Sequence, residues 1–370
     1  MAKVISLFNH KGGVSKTTTV FHLAWKMASL GKRVLIVDAD PQCNLTGLAL
    51  GLEDYDSLFS FYDSKQNTDI FNSLAPIFQL ESNVPSQSLG RIAAAETGNQ
   101  NMFILAGNIR FSEIDIQLAT ALTSSKSLPI LKHLVSSINR LIREIAKRNE
   151  IDVVFIDMSP SVSATNHCLL MGSDYFIIPI SADFYCYQAI DSLSNVLPKW
   201  SEEITDFRRG NDNYVLPSKN PKMLGFISQN YRIYTPDQKN ENSDIKAQKK
   251  MAKAYQDWIN RIKDIVAKKL VPSLQGIDMI ISEDLFKKCV SYDKPYHLAG
   301  IQNFNTLIPV SQRKSKPIYE LTQEDGGWSG AVWERKENNK DAGAKFSIRE
   351  ADNVYQQLSQ SVLEMAYITV

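Results

Sequence analysis

The chain has 370 residues, 44% of them hydrophobic and 22% charged, enough to bury a large core as one large or two medium domains. Its net charge of +1 supplies no global attraction to nucleic acid or to an anionic membrane, so either kind of binding needs a local patch. Cys43, Cys168, Cys186 and Cys289 are scattered, with no CxxC pair and no histidine cluster, which argues for reduced thiols and against a metal cluster.

The N-terminal apolar run is about five residues long, far short of the roughly 20 needed to span a bilayer, and a cytoplasmic protein is expected. A strand is predicted at 4–8, followed by a glycine-containing loop and a helix-like segment at 19–27. Residues 33–38 read as a buried strand ending in an acid. A helix around 69–74, a polar loop at 82–100 and a strand at 102–107 come next. Helical pattern dominates 112–148, and strands are predicted at 153–157 and 175–180. A polar loop at 201–221 leads to a strand at 223–228, a long helix at 243–270 and a last strand-like run at 306–310. Residues 326–330 and 334–345 read as exposed loop, and a helix at 347–367 closes the chain. Strands alternating with helices predict an α/β fold: a doubly wound, mostly parallel sheet flanked by helices. One domain over 1–370 is expected, with insertions near 52–100, 201–221 and 322–345.

The chemistry concentrates in Lys11-Gly12-Gly13-Val14-Ser15-Lys16-Thr17-Thr18. A strand, a glycine-containing loop ending in Lys-Thr and a helix form a cradle for a nucleoside triphosphate, because loop N–H groups and the helix N-terminus point at the phosphates. Lys16 is placed to reach the β- and γ-phosphates and the Thr17 hydroxyl to hold Mg²⁺. Aligned on Lys16, the two glycines of the G-x-x-x-x-G-K-[ST] pattern fall on His10 and Ser15, and the loop's glycines lie inside it. Lys11 is poorly placed to grip the γ-phosphate of its own subunit, but it could reach across to a nucleotide held by a second one. Asp38, Asp40 and Asp157 stand at or just past strand ends, where doubly wound sheets bind ligands. Asp157 is expected in the Mg²⁺ shell. Of Asp38 and Asp40, one positions the attacking water and the other orders Mg²⁺ or a switch segment.

Together with Val37-Asp38-Ala39-Asp40-Pro41-Gln42-Cys43-Asn44 and Phe155-Ile156-Asp157, that loop resembles the deviant Walker ATPases of the ParA/MinD family, and the ParA branch most of all. Asn166, Ile178-Pro179-Ile180 with Phe184-Tyr185, and Ile308-Pro309 with Lys316-Pro317-Ile318 extend the resemblance over most of the chain. It implies a P-loop NTPase that binds ATP and Mg²⁺, with Lys11, Lys16 and Asp40 catalytic. It further implies nucleotide contacts from residues 11–18 and Pro309, and metal contacts from Thr17, Asp38 and Asp157. In that family the lysine matching Lys11 contacts the partner subunit's nucleotide in an ATP-dependent sandwich homodimer. The expected role is partition: the dimer binds DNA nonspecifically and a ParB-like activator stimulates hydrolysis. Ser15, Cys43 and Met158-Ser159-Pro160 replace the family's usual glycine, glycine and Thr-Pro-Pro.

Nonspecific DNA binding needs several basic contacts on one surface. Lys246, Lys249, Lys250 and Lys253 crowd the start of the helix predicted at 243–270, whose packing face is Met251, Tyr255, Trp258, Ile262 and Ile265. Arg208-Arg209 and Lys147-Arg148 are weaker alternatives. The last ten residues contain no lysine or arginine, which disfavours a membrane-cycling role. An iron–sulfur carrier lacks the cysteines it needs. The alternative to partition is the same ATP-driven switch serving a plasmid, phage or defence system without segregating DNA.

Overall fold

The computed structural model describes residues 1–52, 54–64, 68–78, 89–124, 131–208, 216–231, 233–234, 250–251, 253–290, 295–304, 306–337 and 340–368. The main sheet takes β1 (Lys3–Leu7), β2 (Val34–Ala39), β3 (Ala95–Glu96), β4 (Met102–Leu105), β5 (Val153–Met158), β6 (Tyr175–Ser181) and β7 (Lys222–Tyr231). After a separate two-residue pair, β8 (Ile233–Tyr234) with β9 (Lys250–Met251), the last sheet strand is β10 (His297–Gln302). Their spatial order is β10-β7-β6-β1-β5-β2-β4-β3, parallel throughout except where β3 runs against β4. The central strands are covered on both faces, which is why they read as continuous apolar runs: every residue of β2 and β5 is buried.

β1 lies between β5 and β6. Crossovers run outward from it in both directions, so the crevice past the carboxyl ends of β1, β2, β5 and β6 is the topological switch point. Helix α1 (Lys16–Ser29) leaves β1 through the loop and ends ahead of Gly31, whose φ of +85° supplies the left-handed turn a helix end favours. Helices α2 (Asn44–Leu50), α3 (Tyr55–Asp63) and α4 (Ile70–Phe78) follow β2. The helical pattern at 112–148 resolves into α5 (Ile114–Ser124) and α6 (Lys132–Arg148). Helix α7 (Ala164–Met171) connects β5 to β6, and α8 (Phe184–Arg208) follows β6.

Four expectations are corrected. Residues 201–208 continue α8 rather than forming a loop, because Trp200, Ile204 and Phe207 recur at helical spacing and are buried. The run at 306–310 is not a strand. It opens α12 (Leu307–Lys314), with Pro309 in the first turn, where a missing N–H costs nothing. The eighth strand is β10, whose apolar pattern is interrupted by His297 and Gly300. The predicted 243–270 helix is, in the described residues, α9 (Lys253–Ile265), a π-turn at Val266–Leu270 and α10 (Val271–Gly276). Ile259, Ile262 and Ile265 form its buried face and Trp258 is half-buried. Lys246 and Lys249 lie outside the described residues. Lys250 falls in β9 and Lys253 opens α9.

Helix α11 (Glu283–Cys289) precedes β10. Within the stretch expected as an insertion, 322–345, are α13 (Gln323–Gly326), α14 (Gly330–Trp333) and the hairpin of β11 (Lys336–Glu337) with β12 (Lys340–Asp341), before α15 (Ala344–Ile368).

The C-terminal third is fastened to α1 at one histidine. His22 is fully buried, donates from Nδ1 to the Thr18 carbonyl (2.8 Å) and accepts at Nε2 from the Ile318 N–H (3.0 Å). The Tyr319 hydroxyl donates to the His22 carbonyl (2.5 Å), Tyr355 of α15 stacks on the imidazole, and Lys26 pairs with Asp352. This bonding requires neutral imidazole, and burial pushes the His22 pKa down to about 4. Burial also lowers His167, stacked on Trp200, to about 4, and His297, in contact with Ser228, to about 3.

In the unfolded chain these histidines take up protons near pH 6.5, so between that pH and about 4 the unfolded state binds more protons and stability falls as pH falls. Two buried strand-end carboxyls act with the opposite sign, so the check is a difference. Urea midpoints measured across that window should fall less steeply for His22→Gln than for wild type; parallel profiles would contradict a neutral buried His22.

Candidate functional site

The loop after β1 is tied down before any ligand arrives. Asn9, fully buried, donates from Nδ2 to the Pro179 carbonyl in β6 (2.8 Å), and its Oδ1 accepts from the Lys11 N–H (2.9 Å). Lys16 is 7% exposed and its ammonium donates back to the carbonyls of Asn9 (3.0 Å) and Lys11 (3.2 Å). The cation therefore spans the loop it belongs to. Burial lowers its pKa, and the nearby charges of Asp157 and Asp40 oppose that shift.

The two departures from glycine have a backbone signature. Ser15 has φ +56° and Cys43 φ +54°, both in the left-handed region that L-residues enter at a cost of about 1–2 kcal/mol. Ser15 begins α1 without a side-chain cap, so the first N–H groups of the helix face the loop. Gly13, at φ +71°, uses a conformation open to glycine.

At the strand ends, Asp157 follows Ile156 on β5 and neighbours Asp38 on β2 in register. The Thr17 hydroxyl donates to Asp157 Oδ2 (2.6 Å), whereas Asp157 Oδ1 is buried with no hydrogen-bond partner. Burial, then the Asp38 charge, push the Asp157 carboxyl well above its ordinary range. A hydroxyl beside a carboxylate with one unsatisfied oxygen fits a magnesium ion completed by phosphate oxygens and water. Among the described residues no group of three or more His, Cys, Asp or Glu stands ready to hold a metal alone.

The other two acids divide their work. Asp38 is fully buried, and its Oδ2 accepts from the Thr46 N–H (2.8 Å) and hydroxyl (2.7 Å), its Oδ1 from the Asp40 N–H (3.3 Å). Burial raises its pKa to about 6 against those bonds. Asp38, expected among the metal contacts, ties β2 to the start of α2. Gly107 must be glycine for this packing: a Cβ there would lie 2.9 Å from Asp38 Cγ. Asp40 is partly exposed, and its Oδ1 accepts from the Gln42 N–H (3.0 Å).

Lys11 pairs with Asp183 at the start of α8, and Asp183 Oδ1 accepts from the Cys186 N–H (2.9 Å). The lysine expected to reach across to a partner is thus held by an acid of its own chain. Sequence reasoning missed Asp183, which has only its place just after β6 to mark it.

The segment after Asp157 touches the loop directly. Pro160 covers Gly12, where an added Cβ would sit 3.7 Å from the proline Cβ. Asn166 donates from Nδ2 to the carbonyls of Ser159 (2.9 Å) and Ser161 (2.8 Å), and Asp115 of α5 accepts from the Thr165 N–H (2.8 Å) and hydroxyl (2.7 Å). Pro309 lies in α12, and it is Gln312 of that helix that reaches a cavity of about 400 Å³ lined also by Thr17, Thr18 and Asn44.

A strand, phosphate loop and helix at the centre of this sheet, with acids on the neighbouring strands, define a P-loop NTPase fold. The family model described as an AAA domain (AAA_31) matches residues 2–207, more than half the chain, and the chain belongs to that family. It is homologous to the Soj/ParA proteins. It is 29% identical over 198 residues to the sporulation initiation inhibitor protein Soj of Bacillus subtilis, covering 53% of this chain and 65% of Soj. It is 24% identical over 201 residues to the chromosome partitioning protein ParA of Caulobacter vibrioides, covering 53% of this chain and 62% of that protein. This chain thus spans somewhat under two thirds of either relative. Among solved structures, pNOB8 ParA bound to nonspecific DNA superposes with a TM-score of 0.53 at 17% identity over 100% of both chains. Apo McdA from Cyanothece does so with 0.52 at 14% identity, over 95% of this chain and 99% of that one. At these identities the structures speak for the fold.

Two substitutions test the site's energetics. Ser15→Gly releases the left-handed strain and should raise the melting temperature by about 1–2 °C, as a gain near 1 kcal/mol would. Asp157→Asn removes a buried charge and should raise the melting temperature of the nucleotide-free protein by a similar amount. The same variant should lose the further stabilisation that Mg²⁺ with ATP gives wild type; a lower melting temperature without nucleotide would contradict this account.

Proposed function

We propose that this chain is a ParA-type, Mg²⁺-dependent ATPase that closes as a homodimer on ATP, binds duplex DNA nonspecifically in that state and is reset by hydrolysis under a ParB-like activator during plasmid or chromosome partition. The observation that carries the ATPase reading is the buried, unsatisfied Asp157 Oδ1 beside the Thr17 hydroxyl and the Lys16 ammonium. Bound there, Mg²⁺ would offset the charge of the β- and γ-phosphates.

The chain's own groups supply the rest. Lys16 exchanges its two loop carbonyls for phosphate oxygens. The N–H groups of residues 12–18 turn toward the phosphates once Lys16 no longer closes the loop. Asp40, the least buried of the three acids, orients the attacking water; phosphoryl transfer asks for positioning more than for a strong base. Lys11 leaves Asp183 to reach the partner subunit's nucleotide, so dimer closure is set against an ion pair within the subunit. Because 159–161 and Gly12 are in contact, a change at the phosphates reaches α7 through Asn166. The partition role leans on the named relatives, one of them a chromosome partitioning protein and one a ParA solved on nonspecific DNA.

Lys16→Ala should abolish ATP binding in calorimetry, and Asp40→Ala should bind ATP while losing turnover; wild-type turnover in Asp40→Ala would overturn its assignment. Lys11→Ala should bind ATP and sediment as a monomer, whereas Asp183→Asn should dimerise at lower ATP concentration than wild type. Partition itself is tested by ATP-dependent retention of duplex DNA, lost in Lys11→Ala.

A further inference from the structure

The serine that stands in place of a glycine in the phosphate loop has a support that reaches it from two strands away. Ser15 holds φ +56° and ψ +34°, a conformation that glycine enters freely and serine only at a cost. Its carbonyl carries two donors, the Thr19 N–H (2.9 Å) and the Thr19 hydroxyl (2.7 Å). A threonine that bonds back one turn is ordinary in a helix. Here the hydroxyl is itself directed. Gln229 of β7 donates from Nε2 to Thr19 Oγ1 (2.7 Å), across 210 residues of sequence. An amide NH₂ only donates, so the hydroxyl accepts from it and keeps its single proton for the Ser15 carbonyl.

Gln229 is well fixed for this. It lies near the carboxyl end of β7, in register with Ser181 of β6 and Ile301 of β10. Its own carbonyl accepts from the Tyr255 hydroxyl of α9 (3.0 Å). Gln229 is 2% exposed and Thr19 is fully buried, so water does not compete for these bonds. The consequence lies on the other side of the same peptide group. In a planar trans peptide the C=O and the following N–H point in opposite directions. A Ser15 carbonyl drawn back along α1 therefore turns the Lys16 N–H outward from the helix N-terminus, where an anion is bound.

We propose, resting on the ATP-binding reading of this loop, that Gln229 is a positioning residue for it. Through Thr19 it holds the Ser15–Lys16 peptide in the orientation that the phosphates need, and it is the support that lets serine replace glycine there. A support for strained backbone matters only while the strain is present. With glycine at position 15 the left-handed conformation needs no holding, so the effect of losing Gln229 depends on residue 15. A residue that merely fills the core around β7 would weaken both backgrounds alike.

The test is a double-mutant cycle on the full chain, with binding of ATP and Mg²⁺ read by calorimetry. Gln229→Met keeps the length of the side chain and removes the donor. It should raise the ATP dissociation constant by about tenfold, the ratio equivalent to the cost of left-handed backbone at Ser15. The same substitution in a Ser15→Gly background should raise it by about threefold or less. Thr19→Val breaks the relay at its middle and should show the same dependence on residue 15, which keeps the test decisive if Gln229→Met folds poorly. Thr19→Ser, which retains the hydroxyl, should recover most of that loss. Equal fold-losses in the two backgrounds would overturn the proposal, as would wild-type affinity in Gln229→Met. A wild type that binds no ATP would overturn the reading of the loop, and the proposal with it.

Discussion

Three ionisable side chains, Lys16, Asp38 and Asp157, are taken out of water at the carboxyl ends of adjacent strands, and the surrounding architecture answers to that burial. Each finds a different compromise. Lys16 bonds to the carbonyls of its own loop, Asp38 collects donors from Thr46 and Asp40, and Asp157 has the Thr17 hydroxyl on one oxygen and nothing on the other. Charges in such a place cost several kcal/mol each unless paired. The site is therefore held under electrostatic tension, which a polyanion with its metal relieves.

That tension is borne by a scaffold reaching both ends of the chain. Helix α1 begins at the loop, and its His22 and Lys26 are bonded to residues 318, 319 and 352. The segment Lys316-Pro317-Ile318, part of the family resemblance, is thus pinned to the helix that follows the phosphate loop. Asp115 caps α7 from the opposite side, so the loop, the segment after β5 and α5 form one mechanical line. Lys11 stands outside that line, its partner Asp183 sitting at the start of α8.

The legible part of the molecule was its parallel half. Continuous apolar runs announced β1, β2, β4, β5, β6 and β7, because strands covered on both faces leave no room for polar alternation. The phosphate loop and strand-end acids were legible because their chemistry demands fixed residue types at fixed spacing. The misreadings have local causes. Leu307-Ile308-Pro309-Val310 has the composition of a strand, yet it is short, and the packing of α12 decided it. β10 hid because an edge strand tolerates His297 and Gly300. Residues 201–208 looked polar because only the buried stripe of Trp200, Ile204 and Phe207 betrays the helix. Nothing local could reveal the Lys11–Asp183 pair, the Gly107 contact or the bonds from Thr46 to Asp38, since each joins residues from different elements.

The central position of β1 has a consequence for how the protein is made. Its neighbours, β5 and β6, are supplied by residues 153–158 and 175–181. At about 5–20 residues per second, β1 waits on the order of ten seconds or more after its own synthesis for its second partner. Through that interval Val4, Ile5, Leu7 and Phe8 have no sheet to enter, and the His22 clamp awaits residues translated later still. β1, which leads into the phosphate loop, is thus the described strand of the main sheet that waits longest for its partners during synthesis.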